Sequence, residues 1–420
     1  MPSLSYGQVF VPGGYPEHTY NPRAELKLES QLGEVMENLC KMAIVTGHTK
    51  SGKTVLVRRI LPVAETIWVN GGMIGSPDDF WTAIVDQLEL FQTSSATTAA
   101  STSAGIEVGG EAGANLFVAK GKAHASAALE HSRTKGTDSE RSVTSRAVAV
   151  RGLSEAQIPL VIDDFHYLPK EMQGDIVRAL KQPIFDGLAV VIIAIPHRRY
   201  DAVKVEKEMT GRILPVSIPL WTTDELTFIP RTGFRILNGT CSEEFAAKLA
   251  DEAHGSPHLM QEFCRAICRA KDARNGFDGR AADMADEELR SIFSDTAETI
   301  GRPIFEKLAR GPRQRKDRID RELSDGTTVD IYGLVLHALA HLRPGLVTLE
   351  YEQLRSAIRD VSAESPPQLQ EVSRVLKHMA TIAATDESSA PVIDFDEDGK
   401  QLHITDPFFA FYLKWGNLAA

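Results

Sequence analysis

Three stretches in the first half of the chain are apolar without alternation: MAIVT at 42–46, PLVI at 159–162 and LAVVIIAI at 188–195. A strand wet on one face alternates polar and apolar residues, so these runs predict strands buried on both faces, as in a parallel sheet covered by helices. After the first run, TVLVRRIL at 54–61 changes to apolar residues at helical spacing. From 222 to 274 the pattern reads as three amphipathic helices, with start signals at Thr223 and Ser242. From about 326 come three more helices, VDIYGLVLHALAHL, TLEYEQLRSAIRDV and PPQLQEVSRVLKHMATI, with apolar residues three and four apart. PVIDFD and QLHITD around the turn EDGK then predict a β-hairpin. A chain of 420 residues is long enough for two or three cores.

Residues 93–137 break the pattern. They are dominated by Ala, Gly, Ser and Thr, and the opening TSSATTAASTSAG has too little apolar bulk to fold alone, which predicts a flexible segment. Ile106–Ala127 alternates loosely between small apolar and polar residues, with Gly109 and Gly110 as a turn. That is the pattern of a β-hairpin, either ordered on assembly or left as a surface excursion. TDSERSVTSRAVAVRGL then reads as a helix opening at Thr137 or Ser139, with Arg146 and Arg151 along it.

The junction between the first strand and its helix is GHTKSGKT, residues 47–54, glycine and four residues followed by glycine, lysine and threonine. This is the phosphate-loop pattern. Gly47 and Gly52 let the backbone N–H groups converge on phosphates, Lys53 reaches the terminal phosphates, and the Thr54 hydroxyl binds Mg2+. The helix that follows adds its positive end. The candidate nucleotide contacts are Gly47, His48, Thr49, Lys50, Ser51, Gly52, Lys53, Thr54 and Val55. The strand and helix flanking the loop are the context such a motif requires. About a hundred residues later a second strand ends in Asp163 and Asp164. Asp163 is the candidate to hold Mg2+ opposite the loop, and Asp164 the candidate to orient or deprotonate the attacking water.

With both motifs in place, the chain resembles the AAA+ and STAND branch of P-loop ATPases, and within it the origin-recognition and transposition-regulator ATPases. The resemblance spans most of the chain. It implies an α/β architecture: a P-loop NTPase parallel sheet with helices on both faces, followed by a helical lid and a winged-helix domain. Residues 1–30 would form an arm on the adenine side, 31–221 the ATPase domain with its insert 93–137, and 222–278 the lid. Residues 279–325 would be a helical linker with a basic run, and 326–420 the winged helix.

The resemblance also assigns roles. Tyr20 would stack on the base with Arg23 beside it. His197, after the strand 188–195, would sense the terminal phosphate, or else begin a surface loop. Arg212 would be a finger reaching a neighbouring subunit's nucleotide, or else a surface arginine at a helix end. Pro257 and His258, in GSPH, match the position where STAND lids touch the nucleotide and where many AAA+ members carry arginine. Aspartate rather than glutamate at 164, and histidine at 258, imply slow turnover.

Charge and composition narrow the partners. The net charge of −11 excludes a surface that grips nucleic acid throughout. A local basic run remains in Arg310, Arg313, Arg315, Lys316 and Arg318, the better nucleic-acid candidate. The expected recognition helix, 366–382, offers only Arg374, Lys377 and His378, and the wing DFDEDGK is acidic, which favours a protein-contacting or autoinhibitory winged helix. Four scattered cysteines exclude a disulfide framework, and Cys264 and Cys268 fall on one apolar helix face. No apolar run reaches membrane-spanning length, and the N-terminus lacks a secretion-signal pattern, so a cytoplasmic location is expected. The function expected from all this is a slowly hydrolysing ATPase switch using ATP and Mg2+. Its nucleotide state would control homo-oligomerisation or a protein partner, in bacterial defence signalling; the alternative is a regulator assembling on duplex DNA.

Overall fold

The computed structural model describes residues 4–37, 40–89, 144–195, 211–313, 318–384, 391–396 and 399–418. The expected hairpin insert at 93–137, His197, Arg315 and Lys316 lie outside the described residues. The chain forms two compact units. One comprises Ala24–Gly47 and Lys53–Ile218, and the other Met1–Arg23, His48–Gly52 and Pro219–Ala420.

The first unit is built on five strands: β1 (Met42–Gly47), β2 (Ile67–Asn70), β3 (Leu160–Asp163), β4 (Val190–Ala194) and β5 (Ile213–Ile218). Their order is β2-β3-β4-β1-β5, with every neighbouring pair parallel. All six residues of β1 and all five of β4 are buried, which is why these segments read as unbroken apolar runs. Side chains leave a strand alternately to its two faces, and two cores result. Met42, Ile44, Ile162 and Ile192 join one core with Phe80 and Ile84 of helix 77–89, Leu153 of Ser145–Ala156, and Ile176 and Leu180 of Lys170–Phe185. Ala43, Val45, Val161 and Ile193 join the other with Leu32 of Leu28–Gly33 and Val57 of Lys53–Ile60. Helices therefore cover both faces, and this is an α/β P-loop fold. Thr144 caps the helix before β3, Ser145–Ala156, through its side chain, while the expected opening at Thr137 or Ser139 lies outside the described residues. β5 is an edge strand carrying Pro215, which brings no N–H to the ladder.

In the second unit, Thr223–Ile236, Glu243–Glu252 and Pro257–Ala270 appear where three amphipathic helices were expected. The first is capped by Thr222, one residue earlier than Thr223, because Glu225 three residues on closes a reciprocal capping box with it. A 25-residue helix, Asp286–Arg310, follows. A two-residue ladder joins β6 (Arg321–Glu322) to β7 (Thr328–Val329). Then come Ile331–Leu342, β8 (Thr348–Glu350), Tyr351–Val361, Leu369–Ala384, β9 (Ile393–Asp396), β10 (Gln401–Ile404) and Pro407–Trp415. β9 and β10 pair antiparallel as the hairpin predicted. Thr348–Glu350, expected as the start of a helix, instead adds a third strand to β10, with Leu349 opposite Leu402 and both buried.

This unit has one continuous core running from Val9 and Phe10 to Leu413. Phe263 lies 4.9 Å from Phe293 and 5.0 Å from Phe411, so the final helix is packed onto the unit by aromatic contacts. Cys264 and Cys268 are fully buried in this core.

Candidate nucleotide site

The phosphate-loop segment begins where β1 stops. Gly47 is still strand, paired with Ile218, so it does not supply the turn expected of it. The turn comes from Gly52 at φ 94° and, unexpectedly, from Lys50 at φ 61°. The left-handed region disfavours a residue with a Cβ, so Lys50 occupies it at a cost. The Lys53–Ile60 helix starts directly after Gly52.

Within the sheet unit, the end of the loop meets the carboxylates of β3. Thr54 Oγ1 donates to Asp163 Oδ2 at 3.0 Å, and Lys53 Nζ donates to the Gly47 carbonyl at 2.9 Å. Asp163 Oδ1 accepts from the Asp164 N–H at 2.9 Å. Burial raises the Asp163 pKa, against the opposing effect of the Thr54 hydrogen bond. Asp164 is pushed up to about 6 by burial and then by Asp163. Burial brings Lys53 down to about 8, with Asp164 and Asp163 working in the opposite direction. One ammonium and two carboxylates thus share a poorly solvated space, where each charge is worth more than at a surface.

Asp164 itself has φ 53°, and its backbone passes so close to Gly71 that an added Cβ would lie 2.6 Å from the Asp164 carbonyl oxygen. Asn70, the last residue of β2 and the partner of Asp163 in register, hydrogen bonds the Asp164 side chain. Sequence reading missed Asn70; the available signal was a polar residue ending an apolar strand, which acquires meaning only once β2 is known to neighbour β3.

The preceding loop residues make their contacts in the other unit. Ser51 is buried, its hydroxyl has no hydrogen-bond partner, and its carbonyl accepts from Trp221 Nε1 at 2.9 Å. Lys50 Nζ lies 2.7 Å from Asp406 Oδ2 and 3.3 Å from the centre of the Phe408 ring. His258 meets the edge of the same ring at 4.9 Å, with Nε2 3.8 Å from Glu262 and Gly13 close against it. Pro257 is the first residue of the helix that carries His258.

The donor set fits a magnesium–nucleotide complex. In the sheet unit the half-buried, poorly solvated Lys53 ammonium suits phosphate oxygens. Thr54 and Asp163 together present oxygen ligands. Mg2+ takes one or two protein oxygens and completes its shell with phosphate and water.

Other expected residues fall elsewhere. Arg23 is not available to a base: Nε and Nη2 bind Glu225 at 2.9 and 2.8 Å, and Nη1 and Nη2 bind the Pro219 and Leu220 carbonyls. Its guanidinium also lies over Trp221 at 4.9 Å, making it a strut beneath the indole. Tyr20 is half-buried in the arm. Arg212 sits at the amino end of β5, its carbonyl accepting from Met42 N–H at 2.9 Å and its guanidinium over Phe185. The loop leaves the opposite end of β1, the length of a six-residue strand away, so Arg212 has no role at its own loop. Of the basic run, Arg310 and Arg313 are exposed. Arg318 is not: it pairs with Asp330, binds the Pro312 carbonyl at 2.7 Å and covers Tyr332, which removes it from the nucleic-acid set. His378 is likewise engaged, by the Tyr332 hydroxyl at 2.7 Å.

No protein-family model matches the sequence, and no curated protein matches it. Solved structures do. A Walker-type ATPase of Pyrococcus abyssi is 15% identical, with a TM-score of 0.54 over 92% of this chain and 94% of the other. The Cdc6p protein of Pyrobaculum aerophilum is 14% identical, with a TM-score of 0.46 over 98% of both chains. The Orc1 protein of Aeropyrum pernix, solved in complex with DNA, is 15% identical, with a TM-score of 0.45 over 97% of this chain and 96% of the other.

Proposed function

For a chain with the α/β fold of the P-loop ATPases, we propose the work of an ATP-dependent switch. It binds ATP with Mg2+, hydrolyses it slowly, and its nucleotide state controls self-association or a protein partner. The observation that carries this reading is the hydrogen bond from Thr54 to Asp163, which brings the end of the loop to the carboxylate of β3. Lys53 neutralises the terminal phosphates, and Ser51 and the loop N–H groups hold the remaining oxygens. Thr54 and Asp163 hold Mg2+, which screens phosphate charge when bound.

Asp164, held by Asn70, orients the attacking water and takes its proton. With a pKa near 6 it is largely ionised at neutral pH and able to accept. Its side chain is one methylene shorter than glutamate, which supports slow turnover. Arg212 is a candidate to act on a neighbouring subunit's nucleotide, because it stands at the far end of the strand from its own loop. We read Ile331–Leu342, Tyr351–Val361, Leu369–Ala384 and the β8-β10-β9 sheet as a winged helix. The pairing of Arg318 and the acidic turn between β9 and β10 favour a protein partner over duplex DNA. Defence signalling enters this reading through the STAND resemblance alone.

Light scattering of the purified chain, with and without Mg-ATP, tests the switch. The expected result is a change in mass with ATP that Lys53→Ala abolishes while leaving the circular dichroism spectrum unchanged. A folded protein that retains no ATP, or one whose mass ignores both ATP and Lys53→Ala, overturns it. Binding of duplex DNA that requires ATP and weakens steeply with salt would replace it with a DNA-bound regulator.

A further inference from the structure

The pair formed by Lys50 and Asp406 joins residues 356 positions apart in the sequence. Lys50 is a phosphate-loop residue, while Asp406 is the N-cap of the last helix, Pro407–Trp415. The two oxygens of Asp406 have separate tasks. Oδ1 accepts from the Phe408 and Phe409 N–H groups at 2.8 and 3.0 Å, and Oδ2 binds Lys50 at 2.7 Å. The side chains of Asp406 and Lys50 are 7% and 25% exposed, so water screens the pair weakly. Lys50 holds a left-handed backbone conformation in making it. Phe408 completes the seat, stacking under the ammonium and meeting His258 with its edge.

We propose that Asp406 is a built-in competitor of nucleotide: its carboxylate clasps Lys50 and sets the loop against phosphate binding, so that nucleotide occupancy and the seating of the final helix on the loop oppose each other. This rests on the reading of 47–54 as a nucleotide loop. A polyphosphate placed in the loop brings negative charge to the neighbourhood of a nearly buried carboxylate that already uses the adjacent ammonium. Two anions sharing one weakly solvated cation repel, and the repulsion is a coupling between two events. The coupling is reciprocal, so nucleotide loosens the final helix as much as the clasp weakens nucleotide. The same helix carries Phe411 and Tyr412 into the core of its unit, with Trp415 packed against it, and any partner surface displayed there becomes subject to the loop's occupancy.

The division of labour between the two oxygens supplies a clean test. Asp406→Asn keeps the capping oxygen and removes only the charge, so the helix remains capped. Binding of a fluorescent ATP analogue with Mg2+ is measured by the full-length wild type, Asp406→Asn, Lys50→Gln and the double variant. The expected result is affinity about tenfold higher in Asp406→Asn, with no further effect of Asp406→Asn in the Lys50→Gln background. Affinity unchanged or weaker in Asp406→Asn, with wild type binding normally, overturns the clasp and leaves the nucleotide reading standing. The same gain in both backgrounds also overturns it, since the effect would then not run through Lys50. No binding by any folded variant overturns both readings together.

Discussion

The two halves of the phosphate loop have opposite surroundings. Lys53 and Thr54 face a carbonyl and a carboxylate supplied by the sheet's own strands. Lys50 and Ser51 are instead held by Trp221 and Asp406, from segments about 170 and 356 residues further along the chain. The first half is chemistry laid down by strand order, and the second is a grip laid down by helix packing. Sequence motifs describe only the first kind, because a motif is local and a grip is not.

The largest way to test the contrast lies in the sheet half. Asp164→Asn keeps a hydrogen-bonding side chain beside Asn70 but removes the proton acceptor. Turnover of ATP is expected to fall on the order of 10²–10⁴-fold in a phosphate-release assay, with ATP affinity retained. Next in size, Lys53→Ala removes a charge-assisted contact to phosphate and should weaken ATP binding by roughly 10- to 100-fold by calorimetry. Lys50→Gln should not reproduce that loss, because its ammonium is engaged by Asp406. If the two lysine variants behave alike, the halves are not distinct.

Gly71→Ala tests the backbone under Asp164. A methyl group 2.6 Å from the Asp164 carbonyl oxygen must displace it, at a stability cost of about 1–3 kcal/mol in urea unfolding and with loss of turnover. In the gripped half, Trp221→Phe keeps the ring above Arg23 but deletes the hydrogen bond to Ser51, a loss of about 1 kcal/mol in stability.

The smallest effect concerns pH. The Asp164 carboxyl titrates near 6 in the folded chain and near its ordinary 3.8 when unfolded. Folded protein therefore holds a proton that unfolded protein has lost, and stability from this group is fully present below about 3.8 and lost as pH rises through 6. Asp164→Asn should raise the melting temperature of nucleotide-free protein at pH 7, by about 1 kcal/mol of stability after allowance for the water that reaches the group. The advantage should vanish at pH 4.

The legible parts of the molecule were those in which one short segment determines its own environment. β1, β3 and β4 announce themselves because both faces are buried; Lys53 and Thr54 open the helix after the loop and Asp163 ends β3, where the sequence pattern puts them. The failures share a cause as well. Arg23 looks like a ligand of a base until Glu225 and two carbonyls are brought to it from 196 to 202 residues away. Arg318 belongs to a basic run on paper, but folding places Asp330 against it. Thr348–Glu350 reads as the opening of a helix by its spacing, and the edge of β10 captures it as a strand. Asn70 had no motif to mark it, since its meaning depends on which strand lies beside it.

Pro215 in the outermost strand has a consequence for how copies of this chain can join. An open row of backbone donors and acceptors invites another molecule to continue the ladder, the route to fibres and runaway stacking. The missing donor at Pro215 interrupts that row along β5. Association along this border must then rely on side-chain complementarity, which can be loosened or tightened by a bound ligand, whereas a shared ladder is hard to undo.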